Sequence, residues 1–260
     1  MNDFVKFNLN ETISKSLKNL NFKTPTPIQL ESIPLVLEGK DILGSAQTGT
    51  GKTAAFCIPL IELLMRSNKG SALILIPTRE LAKQVLDVVH SLLGFKSRIN
   101  TVALIGGELM SKQLSQLKRR PRIYVGTPGR INDHLERGTL NLHDTNLLVL
   151  DETDRMLDMG FEIQINRILK FVPTNRQTLM FSATIPDNIK KLSAKYLNNP
   201  KRISVGGENI VATNIKQETV ELKSDEKLTE IKNQINKRGG SILVFVKTKY
   251  GSERLAKSLS

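Results

Sequence analysis

Asp41-Ile42-Leu43-Gly44-Ser45-Ala46-Gln47-Thr48-Gly49-Thr50-Gly51-Lys52-Thr53 passes from a short apolar run into a glycine-punctuated loop and ends on Lys-Thr. Residues 41–46 read as a buried strand, and the chain opens a helix at Lys52. Strand, loop and helix in that order, with Ala46, four residues, then Gly51-Lys52-Thr53, give the P-loop pattern with alanine in place of its first glycine. Such a loop wraps phosphates in backbone N–H groups, and the helix N-terminus adds positive potential. Gly49 and Gly51 allow close backbone approach. Lys52 would reach the β- and γ-phosphates and Thr53 would ligate Mg²⁺. Ala46, Gln47, Thr48, Gly49, Thr50, Gly51, Lys52 and Thr53 are therefore the candidate phosphate-binding residues. The competing reading is an ordinary glycine-rich turn.

Outward from this stretch, short apolar runs alternate with helix-length segments. The runs are 41–46, 72–76, 101–105, 122–126, 147–150 and 178–181. Each is continuous and often β-branched, as strands buried on both faces are. Phe161, Ile165, Ile168, Leu169 and Val172 mark one apolar helix face. Thr26-Pro27-Ile28-Gln29 places a capping residue, a first-turn proline and a glutamine at capping-box spacing. Strict alternation predicts an α/β fold, a parallel sheet with helices on both sides.

A boundary is expected near 206. Residues 201–205 read as a last strand, and 206–214 are Gly/Asn-rich and aperiodic, as a linker is. A strand over 215–222, a helix over 227–236, a strand over 242–246 and a helix start then predict the beginning of a second α/β domain, incomplete at 260. The expected organisation is thus 1–205, a linker 206–214, and 215–260.

The 260 residues contain 38 Lys plus Arg against 25 Asp plus Glu, a net charge of +13. Residues 1–205 hold 28 of the basic and 18 of the acidic side chains. Such an excess favours a polyanionic partner, nucleic acid or an anionic membrane surface. One cysteine, Cys57, excludes an intrachain disulfide framework and suits a reducing cytoplasm. Three scattered histidines exclude a structural zinc site of usual spacing. No apolar run approaches the ~20 residues of a membrane span, and the N-terminal residues lack a signal core. A cytoplasmic protein is expected.

Leu147-Leu148-Val149-Leu150-Asp151-Glu152 is a buried strand ending in two carboxylates. Magnesium-nucleotide chemistry needs that pair: Asp151 to hold the Mg²⁺ shell, Glu152 to orient or deprotonate the attacking water. With Lys52 they are the candidate catalytic residues. An acidic strand end at the surface is the alternative.

Asp151-Glu152-Thr153-Asp154 resembles the Asp-Glu-Ala-Asp signature of the DEAD-box RNA helicases of bacterial type, and further family motifs follow in order. Thr24-Pro25-Thr26-Pro27-Ile28-Gln29, with Phe22 and the upstream Phe4, resembles the Q motif. Pro77-Thr78-Arg79-Glu80-Leu81-Ala82, Gly106-Gly107 and Thr127-Pro128-Gly129-Arg130 resemble the three RNA-contacting elements. Ser182-Ala183-Thr184 resembles the segment that couples hydrolysis to RNA binding. The resemblance implies a RecA-like P-loop domain, ATP and Mg²⁺ as ligands, single-stranded or short duplex RNA as a sequence-independent partner, and ATP-dependent RNA helicase activity. Family context adds ribosome assembly or RNA decay, which no residue here selects.

The resemblance makes Gln29 and Phe22 adenine contacts. Gln29 has a capping box, and Phe22 a core position, as the alternative. Pro77, Thr78, Arg79, Gly106, Gly107, Thr127, Pro128, Gly129 and Arg130 become phosphate contacts on RNA. Two of these segments follow a strand and open a helix, where a threonine cap, free N–H groups and an arginine suit a phosphate. Asp154, Ser182 and Thr184 become the coupling residues. Lys118-Arg119-Arg120 with Arg122 is the densest basic run; it reads first as a solvated face, with RNA contact as the alternative.

Thr153 departs from the family alanine and Asn21 from the glycine before the aromatic. Ile242-Leu243-Val244-Phe245-Val246-Lys247-Thr248-Lys249 resembles the first motif of the second helicase domain. The later motifs, which supply arginine fingers, are not among the 260 residues. These residues are therefore expected to bind ATP–Mg²⁺, hydrolyse it slowly and not unwind a duplex. A P-loop translocase on DNA, and a fragment that binds without turnover, are the rival readings.

Overall fold

The computed structural model describes residues 3–94, 97–205, 216, 218–223 and 226–259. The chain divides into two compact units, 1–209 and 210–260.

In the first unit a 3₁₀ turn (Asp3–Phe7) and helices α1 (Glu11–Asn19) and α2 (Pro27–Leu37) lead into β1 (Ile42–Ala46). Strand and helix then alternate: α3 (Lys52–Arg66), β2 (Ser71–Leu75), α4 (Arg79–Leu93), β3 (Thr101–Leu104), α5 (Met110–Leu117), β4 (Ile123–Gly126), α6 (Pro128–Glu136), β5 (Thr145–Leu150), α7 (Thr153–Asp158), α8 (Glu162–Leu169), β6 (Gln177–Ser182), α9 (Asp187–Tyr196) and β7 (Lys201–Val205). All strand pairs are parallel, in the order β3-β4-β2-β5-β6-β1-β7.

Both sheet faces are covered, so successive side chains of a strand enter different cores. Ala72 and Ile74 of β2 join Ile28, Phe56 and Val89 on one side. Leu73 and Leu75 join Ile131, Met156, Ile165 and Ile168 on the other. This is why the strands read as unbroken apolar runs. The apolar face expected on 161–172 delivers Ile165, Ile168 and Val172 to the second core. Cys57 is buried on α3.

The edge where β1 begins is tied by Asp41. Its carboxylate accepts the N–H of Thr178 at 2.8 Å and of Asn198 at 2.7 Å, and its carbonyl accepts from Lys201 at 2.8 Å. One buried residue, through its side chain and its carbonyl, thus ties β6 and the start of β7 to β1.

In the second unit, α10 (Lys227–Lys237) and α11 (Lys249–Leu259) form as helices. Of the linker and strand expected over 206–222, residues 206–215 and 217 lie outside the described residues. The remaining residues 216 and 218–222, and the whole expected strand 242–246, are in no strand. Apolar content favours an extended chain, but a strand exists only through a hydrogen-bonded neighbour. Among the described residues, 218–222 and 242–246 are in no ladder. Leu243 and Phe245 are exposed, Phe245 at 87%. No helix among the described residues is long and apolar enough to cross a membrane.

Candidate nucleotide site and adjoining phosphate cleft

Strand order sorts the loops at the C-terminal rim of the sheet. β5, β6 and β1 are neighbours, so the segments after them, 151–154, 182–184 and 46–53, meet on one half of the rim. β3, β4 and β2 are neighbours, so 106–107, 127–130 and 77–79 meet on the other half. Ligands of open parallel sheets bind at this carboxyl rim.

On the first half, Gly51 precedes Lys52 with φ +94°, a left-handed conformation that favours glycine. A Cβ there would also stand 2.5 Å from Gln29 Nε2. Lys52 is 6% exposed, and its Nζ is buried with no hydrogen-bond partner among the described residues. Burying an ammonium without hydrogen bonds is costly, and an anion bound there would offset that cost. Thr53 follows it in the first turn of α3.

Asp151 is also 6% exposed. Burial pushes its carboxyl up to about 6; the Lys52 cation and the Glu152 N–H, which donates to Oδ1 at 2.9 Å, oppose the rise. The neighbouring carboxylates of Glu152 and Asp154 add to it. Glu152 has φ +52°, strained for a residue with a side chain. Its carboxylate lies 3.8 Å from Arg155.

Asp154 joins the two loops. Its Oδ2 accepts from the Ala183 N–H at 3.1 Å, the Thr184 N–H at 3.0 Å and Thr184 Oγ1 at 3.1 Å. Its own N–H donates to Ser182 Oγ at 3.3 Å. Thr153 is fully buried, with its hydroxyl 3.2 Å from the Leu150 carbonyl and 3.1 Å from that of Phe181. The hydroxyl in place of the family alanine thus meets acceptors at the ends of β5 and β6.

Gln29 performs the capping role: Oε1 accepts from the Thr26 N–H at 3.1 Å. Its Nε2 donates to the Gly51 carbonyl at 3.1 Å, binding α2 to the phosphate loop. Phe22 packs on the first core with its ring 6.2 Å from that of Phe4. Asn21 has φ +57°, a conformation that asparagine tolerates better than most residues after glycine.

On the second half of the rim, Pro77, Thr78, Arg79, Gly106, Thr127, Gly129 and Arg130 line a cleft of about 530 Å³, together with Glu80, Asp133, Met159 and Phe161. Thr78 caps α4, accepting the Leu81 N–H at 3.3 Å. Thr127 precedes Pro128 at the start of α6 without a side-chain cap bond. The Arg79 guanidinium lies over Gly106-Gly107, where a Cβ on Gly107 would collide with it. Gly107 also has φ +80°. Arg130 is held by the Asp133 carboxylate at 3.8 Å and by the Glu108 carbonyl at 3.4 Å.

The basic run 118–122 lies elsewhere. It precedes β4, whereas the cleft follows β4, so the two sit at opposite ends of that strand. Arg122 donates to the carbonyls of Gly70 at 2.8 Å, Leu64 at 3.0 Å and Lys69 at 2.6 Å. Its charge serves the C-terminal turn of α3 and the loop after it, a favourable place for a cation. Arg122 is therefore not part of a solvated face but is half-buried against backbone.

A family model described as DEAD/DEAH box helicase matches residues 26–192. The chain belongs to the DEAD/DEAH box helicase family. It is 43% identical, over its whole length, to "ATP-dependent RNA helicase CshA" of Listeria monocytogenes and covers 50% of that protein. It is 41% identical to "ATP-dependent RNA helicase DbpA" of Bacillus subtilis, again over its whole length, covering 54% of it. Among solved structures, a DEAD box protein from the hyperthermophile Methanococcus jannaschii matches 98% of the chain at 40% identity and a TM-score of 0.75, with 69% of that protein covered. This DEAD-box chain thus spans about half the length of the curated relatives it matches.

The motif residues of this DEAD-box chain were legible in sequence; their supports were not. Asp133, Met159 and Phe161 line the cleft, and Gln113 with His134 is buried behind it. Gln113 carried one usable signal: at helical spacing it falls on the same face as Leu114 and Leu117.

Proposed function

We propose that this chain is the ATP- and RNA-binding part of an ATP-dependent RNA helicase that couples hydrolysis to remodelling of short RNA duplexes in the cytoplasm. The carrying observation is the buried Lys52 ammonium without a hydrogen-bond partner among the described residues, close enough to the buried Asp151 for its charge to act on that carboxyl. Such a pair fits a ligand that brings an anion to the lysine and a cation to the carboxylate, as a nucleoside triphosphate with Mg²⁺ does.

Thr53 and Asp151 would hold Mg²⁺, a hard cation that needs only one or two protein oxygens beside phosphates and waters. Bound there, it neutralises charge on the phosphates. Lys52 and the loop 46–51 clamp the triphosphate. Glu152, held at its strained φ, positions the attacking water and receives its proton. Asp154 passes the state of this half of the rim to Ser182 and Thr184. Gln29 keeps a second amide hydrogen and a second lone pair beyond the two bonds it makes, and these match the donor–acceptor edge of adenine. Phe22 supplies the stacking surface. Arg79, Arg130 and the helix starts after Thr78 and Thr127 bind successive RNA phosphates without reading bases.

Two titrations test the reading. ATP–Mg²⁺ should bind the wild type far more tightly than Lys52→Ala, with GTP weaker than ATP. A labelled single-stranded RNA should bind with an affinity that falls as salt rises. Equal nucleotide affinity in the two proteins would remove the phosphate-loop assignment. Glu152→Gln should retain ATP binding and lose turnover.

A further inference from the structure

Gln113 of α5 and His134 of α6 are both fully buried behind the phosphate cleft. The Gln113 amide is engaged at both ends. Nε2 donates to the Ile105 carbonyl at 2.8 Å, which leaves Oε1 as the acceptor. His134 Nε2 lies 2.9 Å from Oε1 and so carries the proton; its Nδ1 is 2.8 Å from Thr139 Oγ1. Arg130 Nη1 stands 3.5 Å from the same Gln113 oxygen.

Ile105 is the residue before Gly106-Gly107, and Arg130 ends the segment 127–130. One buried amide therefore connects the exit of β3 to the first turn of α6. An apolar side chain of similar volume would fill the space, but it would leave a buried carbonyl and a buried imidazole N–H unpaired. A satisfied buried network fixes one geometry, and the geometry fixed here is that of two cleft elements from different strands.

We propose that Gln113 and His134 are positioning residues for RNA binding, holding Arg130 and the Gly106-Gly107 turn in one fixed relation. The inference rests on the reading of the cleft as an RNA-backbone site. It assigns Gln113 and His134 no contact with RNA.

The test is fluorescence anisotropy with a labelled ten-nucleotide oligouridylate at several salt concentrations, on wild type, Arg130→Ala, Gln113→Met, their double variant and Gln113→Glu. Calorimetric ATP–Mg²⁺ affinity is measured alongside. Gln113→Met should weaken RNA binding about five- to tenfold and flatten the salt slope by about one phosphate contact, as Arg130→Ala does. The double variant should lose less than the product of the two single losses, and ATP affinity should hold within about twofold. Gln113→Glu keeps an acceptor towards His134 and Arg130 but loses the donor to the Ile105 carbonyl, so it too severs the link and should weaken RNA binding about as much as Gln113→Met.

Wild-type RNA affinity in Gln113→Met while Arg130→Ala weakens it would overturn the inference alone. So would losses that multiply independently, or an ATP affinity that falls in step with that for RNA. If Gln113→Met does not fold, Gln113→Glu decides: RNA affinity equal to that of wild type overturns the proposal. An Arg130→Ala variant that binds RNA as wild type does would refute the RNA reading of the cleft and this inference with it.

Discussion

The side-chain amide of Gln29 donates to the backbone carbonyl of Gly51 at 3.1 Å while accepting from the Thr26 N–H at 3.1 Å. The residue assigned to the base is therefore also a strut between α2 and the phosphate loop. Capping and recognition, which look like rivals in the sequence, use different lone pairs and hydrogens of one amide.

Gln29→Ala should accordingly do two things. It should narrow the gap between ATP and GTP affinity, read by calorimetric titration, and lower stability by about 1–2 kcal/mol through loss of two part-buried hydrogen bonds. An unchanged ATP/GTP ratio with a lowered melting temperature would leave Gln29 a strut alone.

Lys52→Ala removes a buried ammonium that has no hydrogen-bond partner among the described residues. Because the Lys52 charge favours the buried Asp151 carboxylate, its removal leaves that carboxylate uncompensated, and thermal melts without nucleotide at pH 8 should show stability equal to or lower than that of wild type. The stabilisation that added ATP–Mg²⁺ gives the wild type should disappear.

Asp151 sets a pH dependence of definite sign. Its carboxyl is pushed from 3.8 to about 6 in the folded chain, chiefly by burial. A raised folded pKa means that the folded state holds the proton more tightly, so this contribution is full below pH ~4 and is lost as pH rises through ~6. Asp151→Asn should stabilise the nucleotide-free chain at pH 8 by on the order of 2–3 kcal/mol and remove that part of the pH profile. It should also lose Mg²⁺-dependent nucleotide affinity. Urea unfolding at pH 4, 6 and 8 reads the first effect; no gain at pH 8 would contradict it.

Arg130 and Arg122 should separate binding from folding. Arg130→Ala should weaken RNA binding and reduce its salt slope by about one. Arg122→Ala removes three bonds to backbone carbonyls. It should cost about 2–4 kcal/mol of stability and leave RNA affinity per folded molecule unchanged. Anisotropy and urea melts on the same two variants check both halves.

The sequence alone determined the parallel α/β class, because strands buried on both faces must be apolar at every position and helices between them must be amphipathic. It determined the chemistry-bearing segments for a related reason: Gly51-Lys52-Thr53, Asp151-Glu152 and Ser182-Ala183-Thr184 each sit at the end of an apolar run, where a sheet must present its loops. Periodicity misjudged 242–246, since residue type sets the preference for a strand and only a hydrogen-bonded neighbour makes one. Charge density read the run 118–122 as a solvated face, whereas Arg122 is half-buried and bound to three backbone carbonyls, partners that clustering does not reveal. The order β3-β4-β2-β5-β6-β1-β7 was decided by the tertiary structure, and with it the division of the rim into one half that gathers the loops after β5, β6 and β1 and another that gathers those after β3, β4 and β2. So were the two bonds of Gln29, the link from Asp154 to Thr184 and the buried Gln113–His134 pair. Apart from the Gln29–Thr26 capping bond, which the sequence offered, these join residues 21 to 30 positions apart, and local sequence patterns carry no record of which distant partner satisfies a buried polar group.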